Sequence, residues 1–254
     1  TNIHERLVEE FDFAPNGEYY DGMPVYLAGD SKLISSSKQI LILDDLDSIV
    51  PDPSYVFISK HQSESMIPSL TAHFPGNFGP SDFGGQPKEI ARYSPSLLKR
   101  YFLSLNSKEE VPEGYNITLE ATHHGPTSLK GTALFVELGS SPEQWKDKEG
   151  ARCIARALLA TLKSNETFEK CAIAIGGTHY PQKFNKFLLD SEFSIGPVVP
   201  KHALEYFDRE MIEQIIQKSD QKITHAVLDA KGLSIHKQKV VNLVRDFGLE
   251  IVKL

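Results

Sequence analysis

The stretch that decides the fold runs from residue 133 to residue 175 and reads ALFVELGSSPEQWKDKEGARCIARALLATLKSNETFEKCAIAI. Its two ends, 133–138 and 171–175, are short continuous apolar runs, which favour buried strands. The intervening residues begin with SPEQ at 141–144, a capping-box pattern that predicts the start of a helix. The apolar stripe of that helix consists of Ala151, Ile154, Ala155, Leu158 and Leu162. Strands that alternate with helices in this way predict an α/β fold.

The same alternation continues on both sides of this stretch. Further apolar runs predict strands at Gln39 to Leu43, Tyr55 to Ser59, Tyr115 to Ala121, His225 to Asp229 and Leu249 to Val252. Further helices are predicted after Ser94 and Pro95, and before Gly248. We expect a single α/β catalytic domain over residues 1–254, built on a mixed, mainly parallel sheet flanked by helices.

The N-terminal sequence enters an amphipathic helix directly at Thr1, with no strand before it. We therefore expect an N-terminal strand to be missing, and a lost targeting peptide stays open. The two cysteines, Cys153 and Cys171, have no CxxC spacing, and we interpret both as buried small hydrophobes. The absence of a disulfide framework and of a long apolar segment favours the cytoplasm over a membrane.

The overall charge restricts the possible partners. A formal net charge of -7 argues against a protein whose whole surface binds nucleic acid, although a local basic patch stays open. Hydrophobic content of 40% with charged content of 24% is typical of a globular protein. We expect no protein partner and a monomer.

Several histidines follow predicted strands, where open α/β sheets place their ligands. His61 follows the strand at 55–59, and His179 follows the strand at 171–175. His73 lies in a segment from Ile67 to Tyr93 that is rich in Gly, Pro and Ser, and which we interpret as a long functional loop. We expect these imidazoles to converge in one pocket at the carboxyl edge of the sheet.

The strongest motif is EATHHGPT at 120–127, which supplies four catalytic candidates: Glu120, His123, His124 and Thr127. In an extended chain, alternate side chains share a face, so His124 would point with Glu120 and His123 would point away. We therefore expect only one of the two histidines to contact the reacting groups. The alternative is a surface turn with two solvated histidines.

A second motif, GGTHY at 176–180, follows a buried strand. Gly176 and Gly177 could leave amide groups free to donate to an oxyanion, or could simply allow tight packing. His179 is a catalytic candidate in this motif. The substrate-binding candidates are Gly176, Gly177, Thr178, Tyr180, Asn77 and Lys201.

Glu137 is a charged residue inside an apolar strand, which is costly unless the carboxylate is paired or binds a metal. Both a salt bridge and a metal site stay open for it. His73, in the segment TAHFPGNFG at 71–79, offers a further imidazole, for which solvent exposure is the alternative.

These motifs, together with FVELGSSPEQW at 135–145, GGTHYPQKF at 176–184 and PKHAL at 200–204, resemble the archaeal and plant type of D-aminoacyl-tRNA deacylase over nearly the entire chain. The resemblance implies an α/β fold related to peptidyl-tRNA hydrolases and phosphorylase-like proteins. It also implies hydrolysis of the ester in D-aminoacyl-tRNA and an association with zinc. Two departures are His202, where tyrosine is expected, and the lack of an alanine before Pro181; they put the finer substrate preference in doubt.

The chemistry implied by this resemblance needs a positioned water, a base and stabilisation of an oxyanion. Because the resemblance implies zinc, we expect its ligands to come from the histidines and acidic residues above. The predicted ligands are His73, His124, His179 and Glu137. A metal-free scheme, with a histidine base or help from the neighbouring ribose hydroxyl, stays open.

Candidate phosphate contacts for tRNA are Lys88, Arg92, Lys99, Arg100, Lys183, Lys186, Lys201 and Lys237. Two other function classes stay open. One is a metal-dependent amidase or a nucleoside phosphorylase-like enzyme that acts on a small molecule. The other is an RNA-binding module without turnover, which His124 and His179 lying far apart would favour.

Overall fold

Strands and helices alternate along most of the chain in a computed structural model that describes residues 1–48, 54–107 and 111–254. The strands are β1 (Ala14–Tyr20), β2 (Met23–Ala28), β3 (Ser31–Leu33), β4 (Ser54–Lys60), β5 (Ser69–His73), β6 (Gly76–Asn77), β7 (Glu89–Ile90), β8 (Asn116–Leu119), β9 (Thr132–Gly139), β10 (Cys171–Gly177), β11 (Ser194–Pro200), β12 (His225–Leu228) and β13 (Glu250–Lys253). The helices are α1 (Asn2–Glu10), α2 (Pro95–Leu105), α3 (Lys148–Lys163), α4 (Gln182–Asp190), α5 (Arg209–Lys218) and α6 (Lys237–Asp246).

Two four-stranded sheets form the centre of the protein. One is parallel throughout, in the order β11-β10-β12-β13. The other is mixed, in the order β4-β9-β5-β8, and its one antiparallel pairing joins β9 to β5. Among the described residues, β1-β2-β3 and β6-β7 form two smaller sheets. The predicted α/β architecture is confirmed, but the central strands form two sheets where we expected one.

Most of the helix starts and ends that were predicted from capping residues are confirmed. The Ser94 side chain accepts a hydrogen bond from the Leu97 amide at the start of α2, and α6 ends just before Gly248, whose φ is +68°. The capping box at Ser141 is a partial exception, because it starts a short 3-10 turn that precedes α3. Asp147 caps α3 itself, by accepting from the amide of Glu149.

Some strand predictions were wrong, because an apolar run in the sequence does not show whether that segment pairs with another strand. The predicted strand at Gln39 to Leu43 is a 3-10 turn, Ile40–Ile42, which packs on a small secondary hydrophobic cluster. The predicted long loop from Ile67 to Tyr93 instead contains β5, all of whose residues are buried. Strand β11 was missed because its sequence, SIGPVVP, contains glycine and proline, which are depleted in strands.

The main hydrophobic core is continuous from α1 through both sheets to α6. Both cysteines are buried, as predicted. Within the part of the chain that the structure describes, no helix has the length and apolar character needed to cross a membrane.

Candidate active site

The chemistry-bearing residues lie on one face of the mixed sheet. Residues paired in register share a face, and Glu137 of β9 is paired with Ser59 of β4 and with Thr71 of β5. Two residues further along the same face, Phe135 is paired with His73. The rings of Phe135 and His73 are stacked, with centroids 5.2 Å apart.

This location differs from the predicted carboxyl edge. Because β5 runs antiparallel to β9, the carboxyl ends of β4 and β5 lie at opposite edges of the sheet. His61, directly after β4, and His73, at the end of β5, therefore approach from opposite ends of the same face. The parallel sheet contributes His179, which follows the carboxyl end of β10.

Three imidazoles form a compact cluster on this face: those of His73, His123 and His124, which we call the imidazole cluster. The two Nε2 atoms of His73 and His124 are 3.1 Å apart. The ring of His123 stacks on His73, with centroids 4.2 Å apart, and lies 4.3 Å from that of His124. The rings of His123 and His179 have centroids 4.9 Å apart, so His124 and His179 both adjoin His123.

The imidazoles of this cluster are uncharged at neutral pH. Burial and the neighbouring His123 lower the pKa of His124 to about 3, and the same two causes lower the pKa of His73 well below its usual value. Burial also lowers the pKa of His123. All three rings therefore have an unprotonated nitrogen at neutral pH.

Backbone carbonyls orient two of these rings. Nδ1 of His123 lies 2.8 Å from the Ala121 carbonyl oxygen, and Nδ1 of His124 lies 2.7 Å from that of Gly125. Because a carbonyl only accepts, each Nδ1 carries the proton and donates it, which leaves each Nε2 with a free lone pair. The His73 ring has no such restraint: its buried Nδ1 makes no hydrogen bond to the described residues.

His123 and His124 do not point to opposite faces, as the extended-chain argument predicts. The backbone at His124 has a φ of +48°, so the chain leaves the extended geometry at that residue. The segment just before it crosses to the parallel sheet, where the Thr122 amide donates to the Val198 carbonyl oxygen at 3.0 Å. Both imidazoles consequently turn into the same cluster.

Glu120 is the central carboxylate of the site. Its side chain is 1% exposed, and one oxygen lies 3.1 Å from Nε2 of His179 while the other lies 3.1 Å from Nδ1 of His61. Burial opposes ionisation, but these two histidines hold the pKa of Glu120 well below its usual range. Glu120 is therefore an ionised carboxylate that two imidazoles share.

His61 joins this carboxylate to a second one. Its Nδ1 lies 3.4 Å from an oxygen of Glu137, and its Nε2 lies 3.0 Å from the hydroxyl of Tyr180. Burial lowers the pKa of His61, but hydrogen bonds to Glu120 and Glu137 outweigh it and raise the pKa to about 9. Burial raises the pKa of Glu137, and the adjacent charge of Glu120 adds to this effect. Glu137 is thus paired with His61, which corresponds to the salt bridge that the sequence left open for it.

The predicted metal ligands divide between adjoining groups. His73 and His124 share a group with His123, whereas His179 lies with Glu120 and His123. Glu137 lies instead beside His61 and Glu120. Within each group, the candidate ligand atoms lie within 4.8 Å of one another. His61 follows a strand just as His179 does, and the sequence placed it with the converging histidines. It was nevertheless not named as a catalytic, substrate-binding or metal-ligating candidate.

The glycines of the GGTHY segment are packed closely. A side chain at Gly176, whose φ is +101°, would meet Leu233 at 2.9 Å, and one at Gly177 would meet Phe184 at 2.9 Å. Both glycines are buried in β10, where the close packing leaves no room for a larger side chain. The Thr178 hydroxyl donates to the Tyr180 carbonyl oxygen in the following turn.

The remaining candidates lie in supporting positions. The Thr127 hydroxyl donates to Glu89 at 2.7 Å and accepts from the amide of Gln86. The Asn77 amide donates to the carbonyl oxygens of Gly84 and Gln86, so its donors are used to fold the 76–90 segment. Lys201 is exposed, in a 3-10 turn after β11.

One predicted phosphate contact is buried, and four others make contacts within the chain. Lys99 is 2% exposed and donates to the carbonyl oxygens of Leu188 and Ser191, so its prediction as a surface contact was wrong. Lys88 pairs with Asp208 at 2.7 Å. Three others also bond within the chain: Arg100 with the Glu166 carbonyl oxygen, Lys183 with Asp229, and Lys186 with Asp190.

A family model and two known proteins with similar sequences have the same description. A family model described as D-aminoacyl-tRNA deacylase matches residues 51–252. The D-aminoacyl-tRNA deacylase of Pyrococcus furiosus is 32% identical over 259 residues, which cover 99% of this chain and 94% of the relative. That of Cenarchaeum symbiosum is 38% identical over 198 residues, which cover 78% of this chain and 76% of the relative.

A solved structure shows the same architecture. It is a crystal structure of a conserved protein of unknown function, and it matches with a TM-score of 0.91 and 28% sequence identity, covering 99% of this chain and 90% of that chain. Sequence and fold therefore agree over nearly the whole length. Since the family model spans both sheets and every histidine of the site, the chain belongs to the D-aminoacyl-tRNA deacylase family.

Proposed function

We propose that this chain hydrolyses the ester bond of D-aminoacyl-tRNA and releases the free D-amino acid and tRNA. The observation that carries the proposal is the neutral imidazole cluster beside the ionised Glu120, in a protein of this family. An ester linked to ribose is already activated, so hydrolysis needs a base, a positioned water and stabilisation of the oxyanion. The site has side chains for each of these tasks.

His179 has the position of a general base. Its side chain is 40% exposed, so substrate and water reach it, while Glu120 behind it is buried. Glu120 accepts from Nε2–H of His179, which leaves Nδ1 to take the proton of the attacking water. The imidazolium then returns that proton to the leaving ribose oxygen as the ester bond breaks.

Tyr180 is suited to stabilise the oxyanion. Its hydroxyl accepts a hydrogen bond from Nε2–H of the charged His61, at 3.0 Å, so its own O–H is free to donate to the carbonyl oxygen of the ester. This arrangement assigns the oxyanion contact to Tyr180 in preference to Gly176 and Gly177, which are packed within β10.

The imidazole cluster also fits a zinc ion. One proton must lie between the facing Nε2 atoms of His73 and His124, and a bound cation would replace it. The His73 proton would then move to Nδ1, which lies 4.0 Å from Glu120. Carbonyl groups already orient His123 and His124, as is usual for metal-ligating histidines. When bound, zinc would lower the pKa of a coordinated water.

Zinc content tests this assignment separately from activity. Purified protein is expected to contain about one zinc per chain, and His73→Ala is expected to lose most of it, because the cluster then has only two imidazoles. Metal analysis after dialysis measures this directly. His225→Ala, at the opposite edge of the parallel sheet, is the control and should keep its zinc. Equal metal content in all three proteins would exclude the cluster as the zinc site.

The proposed activity is tested with D-tyrosyl-tRNA and L-tyrosyl-tRNA as paired substrates. We expect release of tyrosine from the D form at least a hundredfold faster, because a shaped pocket excludes the L form at the α-carbon. A free D-tyrosine ester measures the small-molecule alternative, and tRNA ending in 2′-deoxyadenosine measures help from the ribose hydroxyl. Equal rates on the two tyrosyl-tRNAs would contradict the proposal.

Further parts of the proposal concern the whole molecule. We propose a monomer that acts in the cytoplasm on D-aminoacyl-tRNA. The continuous core supports a single catalytic domain. His179 reaches the site from the carboxyl end of a parallel sheet. This position supports a fold related in outline to those of peptidyl-tRNA hydrolases and phosphorylase-like proteins.

A further inference from the structure

We propose that the single-stranded 3′ end of tRNA docks on a surface formed by Lys60, Trp145, Lys146 and Lys148, which we call the Trp145 surface. The inference rests on the proposed function and adds to it the path by which the RNA reaches the imidazole cluster. This surface is separate from the basic residues that the sequence suggested.

Two adjoining cavities mark this path. One, of about 400 Å³, is lined by the four residues of the Trp145 surface together with Thr1, Pro142, and Asn2 and Glu5 of α1. The other, of about 610 Å³, is lined by Gln62, Ser63 and Met66 and by the segment 140–142. Pro142 lines both cavities, and the two neighbours of His61 in the chain line one each, Lys60 the first and Gln62 the second. We refer to the two adjoining cavities together as the groove.

Trp145 is rigidly connected to the site. Its indole N–H donates to the carbonyl oxygen of His61 at 2.7 Å, and the same His61 side chain contacts Glu120 and Tyr180. The ammonium of Lys60 lies 5.3 Å from the centroid of the Trp145 ring. An aromatic ring held in place beside a cation is the combination that binds successive nucleotides, by stacking on bases and pairing with phosphates.

The charges of this surface are available for a ligand. Lys60, Lys146 and Lys148 are exposed, and among the described residues none of them makes an ion pair. Many other lysines do, including Lys32, Lys38, Lys88, Lys170, Lys183, Lys186 and Lys218. Two carboxylates, Glu5 and Glu64, also line the groove.

This contrast points to a polyanion. In a chain with a formal net charge of -7, three lysines that make no ion pair among the described residues line one cavity together with Trp145. The groove adjoins His61, whose side chain contacts Glu120 and Tyr180 of the proposed site. The terminal nucleotides of tRNA are single-stranded where they carry the amino acid. RNA satisfies both the charge and the aromatic ring, whereas a free amino-acid ester satisfies neither.

The tryptophan provides a direct reporter, because Trp145 is the one tryptophan of the chain. Adding uncharged tRNA, or a short single-stranded RNA ending in CCA, is expected to quench its fluorescence as a base stacks on the ring. The quenching should saturate and should weaken with added salt. RNA binding without any change in Trp145 fluorescence would overturn the proposal.

Charge removal tests the phosphate contacts without disturbing the buried site. In Lys60→Ala/Lys146→Ala/Lys148→Ala, we expect the affinity for uncharged tRNA to fall at least tenfold. The slope of log K against log salt should become shallower by about 2, since each single-strand phosphate contact contributes about 0.7. Trp145→Phe, which keeps a ring but loses the indole N–H, should retain part of the affinity.

The control triple variant is Lys32→Ala/Lys38→Ala/Lys170→Ala, which removes three ion-paired lysines that are not among the predicted phosphate contacts. It changes the net charge equally and should keep the original affinity and salt slope. Equal losses in both triple variants would mean nonspecific attraction and would overturn the docking site. These binding assays use uncharged RNA, so they can fail while deacylation of D-tyrosyl-tRNA succeeds, and the reverse.

Discussion

Replacing His124 with alanine is expected to slow the deacylation of D-tyrosyl-tRNA by about a thousandfold. The His124 ring contacts both His73 and His123, and its Nε2 lies only 3.1 Å from that of His73. Its removal takes away one of three facing nitrogens, whether these hold a zinc ion or a shared proton. Single-turnover rates with saturating enzyme separate this loss from any change in tRNA binding.

His225→Ala is the matched control for this variant. His225 is another partly buried histidine, but it lies at the start of β12, at the edge of the parallel sheet opposite to His179. Its replacement should leave the rate within about threefold of the original. A loss of less than tenfold in His124→Ala would contradict a role for the imidazole cluster in the reaction, and would favour assistance by the ribose hydroxyl.

The second large effect is expected from Glu120→Gln. This change keeps the shape of the side chain but removes the charge that His61 and His179 share. We expect deacylation to fall about a hundredfold, because His179 loses the carboxylate that orients it. We also expect the pKa of His61 to fall from about 9 towards its usual value of 6.5, which NMR titration of the His61 ring would measure.

The stability of the same variant should depend on pH in a defined direction. The folded-state pKa of Glu120 is depressed, so its stabilisation is present above its unfolded pKa of about 4.5 and is lost as the pH falls below that value. We expect Glu120→Gln to lower the free energy of unfolding by about 3 kcal/mol at pH 7, and by less at pH 4. Urea denaturation at both pH values would show this.

Glu137→Gln makes the same chemical change in the neighbouring carboxyl and serves as the comparison. Burial raises the pKa of Glu137, so its ionised form opposes folding as the pH rises above the unfolded value. Its replacement should therefore cost little stability at pH 7. If the two variants were equally destabilised at both pH values, the distinct electrostatic roles of Glu120 and Glu137 would be wrong.

Local patterns in the sequence predicted the helices and the class of the fold. The cap of α2 at Ser94 and the end of α6 before Gly248 depend on hydrogen bonds between residues close in sequence. The order of motifs likewise indicated the family before any geometry was known. Pairing of strands depends on distant residues, and for this reason β5 and β11 were missed and the turn at Ile40–Ile42 was predicted as a strand.

The sequence by itself thus determined the α/β class, the family and most of the histidines that are candidates for the site. Only the tertiary structure decided that His61 joins Glu120, that His123 turns to the same side as His124, and that Lys99 is buried. The reason is physical. Helix caps and apolar stripes depend on residues that are close in sequence, whereas the side chains that share one face of a sheet depend on the register between distant strands. The antiparallel pairing of β5 with β9 brings residues from opposite ends of that face together.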